Sequence, residues 1–316
     1  MKLADGVQLH TDSGLRCRLD TDHARGWLLP ASAAGTLDQF ASQFKAATAE
    51  GFVAADAAVL AMMKSCHPGA LPLLSWGDDL PDAPIPARTL RCLDLYAIVD
   101  SAARIESVLA AGVKTVQLRV KSPEQPDPRW FDHLRSEIRR SVAASEAAGA
   151  ELFVNDHWEL AAEAGAGGVH LGQEDLQALG AAGRASLQST GMELGVSSHS
   201  LWELARARTL NPRYIACGPV WPTLTKAMPW RPQGLDNLSW WCRHAAVPVV
   251  AIGGILQAQH VEQAARSGAD GVCIVRGLGD RPQDVLPSLR QALKDGRRNA
   301  ASQHSPAWPH PSLANA

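Results

Sequence analysis

Gly167-Gly168-Val169-His170-Leu171-Gly172-Gln173-Glu174-Asp175 is the stretch from which the fold can be read. The β-rich run from Val169 to Leu171 gives way to a glycine and then to acidic residues suited to the first turn of a helix. A strand thus delivers a carboxylate onto a turn. Asp175 could simply cap that helix, and whether it does more depends on what the other strand ends carry.

Outward from this stretch, the chain from Leu93 onward alternates short β-branched runs with Ala-, Leu- and Arg-rich helical patterns. Strands are expected at 93–99, 115–118, 152–154, 168–171, 194–196, 214–217, 247–252 and 272–275. Helical patterns between them include 128–148, 157–164, 200–208, 257–266 and 282–295. Eight strands with intervening helices in about 200 residues predict a parallel (β/α)8 TIM barrel, with an open doubly wound sheet as the rival. The barrel domain is expected over residues 91–295. Ala-Gly-Val-Lys-Thr at 111–115, Ala-Gly-Ala-Gly-Gly at 164–168 and Ser-Gly-Ala-Asp-Gly at 267–271 recur between helix and strand. Glycine there suits the left-handed position that ends a helix.

Residues 1–66 read as a small, mainly helical extension: Ala-rich patterns at 37–49 and 54–64, broken at Gly51, follow a few short strands such as Val7 to Leu9. Residues 67–90 hold Pro68, Pro72, Pro81, Pro84 and Pro86 beside Gly69, Gly77, Asp78, Asp79 and Asp82. That composition resists both helix and ladder and predicts a Pro-rich linker. The Ser- and Pro-containing tail, 296–316, is expected to be disordered.

Across 316 residues, 30 Lys and Arg balance 32 Asp and Glu, for a formal charge of −2. This argues against a nucleic-acid or membrane surface recognised through bulk charge, so any anion must be recognised locally. The cysteines at 17, 66, 92, 217, 242 and 273 contain no Cys-x-x-Cys pair and lie in apolar segments. They read as buried thiols of a reducing compartment. The N-terminus lacks a signal peptide's apolar core, and no run approaches the roughly 18 apolar residues of a membrane span, so a cytoplasmic location is expected.

In such a barrel the chemistry lies at the carboxyl ends of the strands. Strand two ends in Gln117-Leu118-Arg119-Val120-Lys121. Alternation puts Gln117, Arg119 and Lys121 on one side, an amide and two cations suited to phosphate oxygens; a solvated strand end is the plainer reading. Strand three ends in Asn155-Asp156, and strand four leads to Asp175. These two carboxylates could hold magnesium, which takes one or two carboxylates and keeps its other positions for water and substrate phosphate; two helix caps are the alternative. His170 falls inside its strand, where a satisfied imidazole competes with a catalytic base. Strand five ends in Ser197, Ser198 and Ser200, small hydroxyls before a helix whose free amides favour an anion, although ordinary capping explains the last two equally well. Strand six runs into a stiff loop carrying Thr223, Thr225 and Lys226, and Met228 to Gln233 would make a mobile lid. Strands seven and eight end in Gly253-Gly254 and Val275-Arg276, where many such barrels bind phosphate. The residues alone point to a magnesium-dependent enzyme acting on phosphorylated small molecules.

At these residues the chain resembles the thiamine phosphate synthase family, from Leu93 to Leu278. The motifs are Gln117-Leu-Arg-Val-Lys121, Val154-Asn-Asp156, Gly168-Val-His-Leu-Gly-Gln-Glu-Asp175, Gly195-Val-Ser-Ser-His-Ser200, Gly218-Pro-Val-Trp-Pro-Thr-Leu-Thr-Lys226 and Gly253-Gly-Ile255. The resemblance implies a transferase that joins 4-amino-2-methyl-5-hydroxymethylpyrimidine diphosphate to a thiazole phosphate, releasing pyrophosphate and thiamine monophosphate. It implies that Gln117, Arg119, Lys121 and Asn155 hold the pyrimidine diphosphate, that Asp156 and Asp175 bind Mg2+, and that Ser197 and Lys226 meet the pyrophosphate. Thr223, Thr225, Gly254, Val275 and Arg276 would hold the thiazole phosphate, while Arg119, Lys121 and Lys226 would supply the catalytic charge.

The sequence departs from the family's pattern in three places. Arg276 stands where serine is frequent and His157 where arginine is frequent. Residues 1–90 are absent from a minimal synthase; Gly35 to Lys64 is weakly similar to the closing helices of hydroxymethylpyrimidine (phosphate) kinase, which implies a non-catalytic remnant. A helical cap or a dimerisation arm, which would make a homo-oligomer, is the alternative. Rival functions are a thiazole tautomerase of the same fold and a non-catalytic sensor of thiamine phosphates.

Overall fold

The barrel strands turn an apolar face to a ring of helices, and several of them turn a second apolar face to the lumen, the double burial that parallel strands require. The computed structural model describes residues 1–3, 6–12, 14–31, 35–66, 70–81, 92–223, 229–300 and 308–313. An N-terminal module comprises β1 (Val7–His10), β2 (Arg16–Asp20), β3 (Arg25–Leu29), α1 (Leu37–Ala49), α2 (Ala54–Cys66) and β4 (Leu73–Leu74). The barrel begins with β5 (Asp94–Val99), α3 (Ala102–Ala110), β6 (Thr115–Leu118), α4 (Pro128–Ala148), β7 (Glu151–Asn155), α5 (Trp158–Glu163) and β8 (Gly168–Leu171). It continues with α6 (Gln173–Ala178), α7 (Gly180–Ser189), β9 (Glu193–Ser198), α8 (Leu201–Ala207) and β10 (Tyr214–Cys217). It ends with α9 (Gly234–His244), β11 (Val249–Ala251), α10 (Ala258–Arg266), β12 (Gly271–Ile274) and α11 (Pro282–Asn299). All neighbours are parallel, and β12 pairs with β5, so the sheet closes and the doubly wound alternative is excluded.

Register decides what fills the lumen. Tyr96, Ile98, Phe153, Tyr214, Ala216, Val250 and Cys273 form an inner cluster, distinct from the larger one between strands and helices. Gly195 lies opposite Tyr214, and Gly168 opposite Phe153. A Cβ on Gly195 would fall 2.3 Å from the Tyr214 ring, and one on Gly168 would fall 2.7 Å from the Phe153 ring. Two glycines thus leave the volume that two rings fill.

The N-terminal module keeps its two expected helices, and the few short strands expected beside them prove to be one sheet. Its strands form the antiparallel sheet β1-β2-β3-β4, and Leu15, Cys17 and Leu19 bury one face at period two. Helix α2 is buried without a break from Ala55 to Met63 because it packs against α1, β1 and α8 of the barrel. Asp56, 1 % exposed, accepts from Trp202 N at 2.9 Å, so this module supplies a cap to a barrel helix. Burial pushes the Asp56 carboxyl up to about 7. Around it Trp76 Nε1 donates to Thr209 Oγ1 at 3.1 Å, and Arg206 Nη2 donates to Arg25 O at 3.1 Å. The Arg206 guanidinium lies 5.1 Å from the Trp76 ring and 4.9 Å from that of Trp202.

Three expectations change. Within 67–90, residues 67–69 and 82–90 lie outside the described residues, but 70–81 are no linker. Leu71, Leu73, Leu74 and Trp76 are buried, and Pro72 precedes the strand it joins, so no ladder donor is lost. The tail at 296–316 is not wholly disordered: α11 runs to Asn299, and residues 308–313 pack on α9, with Ser312 and Leu313 buried. Of the thiols, Cys17, Cys217 and Cys273 are buried, whereas Cys92 is exposed and Cys66 and Cys242 are half-buried.

Gly195→Ala should destabilise the barrel by about 1–3 kcal/mol through overpacking against Tyr214, read as a lower urea midpoint. An unchanged midpoint would contradict this packing.

Candidate active site

Toward the carboxyl ends of the strands the lumen turns polar. Gln117 Nε2 donates to Tyr96 Oη at 2.8 Å, and the Tyr96 and Tyr214 hydroxyls lie 2.7 Å apart. Tyr214 Oη is 2.8 Å from His170 Nδ1, and His170 Nε2 is 2.8 Å from Ser197 Oγ. With one proton per hydroxyl, the arrangement that leaves no buried proton without an acceptor runs one way. Gln117 donates to Tyr96, Tyr96 to Tyr214, Tyr214 to Nδ1, and Nε2–H to Ser197, whose own proton is left to face the mouth. Burial, the Arg119 cation and His199 push the His170 pKa down to about 3, so the ring is neutral at physiological pH. Both ring nitrogens of His170 thus have hydrogen-bond partners within the barrel.

The chain's 2 tyrosines were missed in the sequence. Both lie at inward-facing positions of barrel strands, in register with Cys273 and Gly195 respectively, a parity that could have revealed them.

The other expected residues gather at the same end. Arg119 follows β6, half-buried, with its N–H donating to Val99 O at 2.7 Å, while Lys121 is exposed beyond the ladder. Asn155 is buried at the end of β7. Asp156 takes φ +65°, a left-handed conformation uncommon for a side chain other than glycine, and its N–H donates to His170 O at 3.1 Å. Asp175 Oδ2 accepts from Gly172 N at 2.9 Å, so the capping role is realised. Gln173 Nε2 donates to Ser198 Oγ at 2.9 Å, and Ser200 Oγ accepts from Glu203 N at 3.3 Å, which gives both serines structural partners. His199 stacks on Trp230 with centroids 5.3 Å apart and planes 11° from parallel.

Gly254, at φ +72°, is held to glycine by packing as well. A Cβ there would lie 2.5 Å from Trp221 Cβ, so this glycine admits the loop after β10. Thr223 ends the described part of that loop; Thr225 and Lys226 lie outside the described residues. Val275 leads into a 3-10 turn at Arg276–Leu278, and Arg276 is exposed.

Asp156 and Asp175 stand on successive turns, after β7 and β8. Two carboxylates are a hard oxygen donor set that fits magnesium completed by water and phosphate. Among the described residues no group of three or more His, Cys, Asp and Glu could hold a metal, so a site built wholly from protein ligands is not offered there.

The model of the thiamine monophosphate synthase family matches residues 95–278. The chain belongs to this family. The thiamine-phosphate synthase of Rhizobium etli is 43% identical over 205 residues, covering 65% of this chain and 95% of that protein. That of Neisseria meningitidis serogroup A is 43% identical over 207 residues, covering 65% and 96%. Among solved structures, thiamine phosphate pyrophosphorylase from Pyrococcus furiosus superposes with a TM-score of 0.56 at 24% identity, covering 65% of this chain and 98% of that one, which bears on the fold. The family span begins within β5 and ends in the turn after β12, leaving the N-terminal module and α11 outside it.

Because its folded pKa lies below the ordinary 6.5, His170 binds a proton less readily folded than unfolded. It contributes stability that is present above about 6.5 and lost as pH falls toward about 3. His170→Asn should flatten the acid limb of the stability curve in that window; parallel limbs for the two proteins would contradict a buried neutral imidazole.

Proposed function

We propose that this barrel joins 4-amino-2-methyl-5-hydroxymethylpyrimidine diphosphate to 4-methyl-5-(2-phosphoethyl)thiazole, or its carboxylated form, in a magnesium-dependent reaction of thiamine biosynthesis. The observation that carries the reading is the hydrogen-bonded chain that fixes Gln117 and Ser197 at the mouth that also receives Arg119, Asn155, Asp156 and Asp175. Family membership supports the transferase chemistry.

In this reading the bond between the pyrimidine methylene and the diphosphate oxygen breaks, and both electrons leave on pyrophosphate. The ring amino group delocalises the positive charge that results, and the thiazole nitrogen then donates its lone pair to form the C–N bond. Arg119, Lys121 and Lys226 draw on the departing anion, and the outward Ser197 hydroxyl donates to it. Gln117, with its amide nitrogen turned to Tyr96, keeps its carbonyl oxygen for the amino group of the pyrimidine. Thr223, Thr225, Gly254, Val275 and Arg276 are assigned to the thiazole phosphate. Magnesium, when bound at Asp156 and Asp175, would neutralise charge on the diphosphate. Among the described residues no helix is long and apolar enough to cross a membrane, and we place the reaction in the cytoplasm.

Purified protein with magnesium and both substrates should form thiamine monophosphate, measured by chromatography; binding of both without product would turn the reading to a sensor. Asp175→Asn keeps an acceptor for Gly172 N–H, and with it the α6 cap, but removes the charge. It should lower turnover at least about tenfold and raise the magnesium requirement, with circular dichroism unchanged. An unaltered magnesium dependence would sink the metal assignment.

A further inference from the structure

The segment Trp308–Leu313 lies beyond the family span, and its partners come from both modules. The Trp308 ring sits under the Lys64 ammonium of α2 at 4.4 Å and against Trp240 of α9 at 6.4 Å. The Asn237 side chain pairs with the backbone of His310, accepting from its N–H at 2.8 Å and donating to its carbonyl at 3.0 Å. Asn237 also donates to Gln233 Oε1 at 2.9 Å, His310 Nε2 donates to Gln233 O at 2.9 Å, and Arg231 N donates to Ser312 O at 2.8 Å. Asn237 is 1 % exposed and Gln233 0 %, burial that amides tolerate only when hydrogen-bonded.

Gln233 passes this docking on to the mouth. Its Nε2 donates to His199 O at 2.6 Å, its N–H to Pro219 O at 2.7 Å, and the next amide, Gly234 N, to Val220 O at 3.0 Å. The two ends of the loop between β10 and α9 are thereby fastened to each other and to the turn after β9. That turn directly follows the end of β9 that holds Ser197, and that loop leads to Thr223.

We propose that the C-terminal segment, acting through Asn237 and Gln233, is a positioning element for the synthase mouth: it holds the β10–α9 loop and the β9–α8 turn at a fixed separation. Asn237, Gln233 and His310 are its positioning residues. The kinetic consequence rests on the proposed function; the fastening itself does not.

The test compares the full chain with one truncated after Ala307 and with full-length Asn237→Ala, using Trp308→Phe as the conservative control. Amide hydrogen exchange should accelerate in 219–221 and 229–236 in the first two variants, with the barrel strands and the N-terminal module protected as before. Both variants should lose about tenfold in kcat/KM, with KM for the pyrimidine diphosphate raised, and Trp308→Phe should stay near the parent. Unchanged exchange in those segments would overturn the proposal. So would acceleration spread over the whole barrel, which is the mark of a merely structural role, or local acceleration with unchanged kinetics. If the full chain forms no thiamine monophosphate, the proposed function falls, and the exchange comparison still decides whether the segment fastens the loop.

Discussion

The Tyr214 hydroxyl has one proton and two neighbours, and the mouth of the barrel depends on how it serves both. It sits 2.7 Å from Tyr96 Oη and 2.8 Å from His170 Nδ1, in an interior without bulk water. A buried donor or acceptor left unmet costs about 1–3 kcal/mol, so rotating any one member of the chain exposes the next to that penalty. Gln117 and Ser197, on strands that do not pair, become mechanically linked through three intermediate side chains. The ring can occupy this place because Gly195, its partner in register, has no Cβ. A backbone choice on β9 thus underlies a hydrogen-bond geometry that reaches β6.

Helix α8 imposes a second constraint. All seven of its residues are buried, including Glu203 and Arg206, because the N-terminal module covers the face that a barrel helix ordinarily turns to water. Glu203 Oε2 lies 3.0 Å from His199 Nδ1 and accepts from His199 N, while Arg206 reaches back to Arg25 O. Burial lowers the Arg206 pKa to about 10, still above neutrality, so a charged guanidinium is kept between two indoles and a carbonyl.

Much of the barrel was legible because short apolar runs recur between helical patterns along the chain. The runs at 115–118, 168–171 and 214–217 and the helix at 128–148 coincide with observed elements. That helix also carries its own punctuation, with Asp127 capping and Gly149 ending it in the left-handed region. Legibility failed where composition and long-range partners disagreed. Leu71, Leu73 and Leu74 sit among prolines, and their value shows only when β3 is placed beside them. Residues 308–313 look like solvated tail until Asn237, far away in sequence, supplies both halves of a backbone pair. Asp175 illustrates a different limit: capping and metal binding ask for the same carboxylate at the same position, and the stretch around it does not choose between them, so the neighbouring strand ends had to tip the reading toward metal. The tyrosine links eluded reading because a 118-residue separation joins them.

Asp56 carries a consequence for how such a chain can evolve. Its carboxyl serves a helix of the other module, and the helix that carries it is apolar and packs against α8. A chain without the extension would expose the side of α8 that packs on α2 and β4 and leave Trp202 N–H without its borrowed acceptor. Retention of the extension therefore needs no selection on a separate activity. Removing the extension would carry a solubility cost whatever else the extension does.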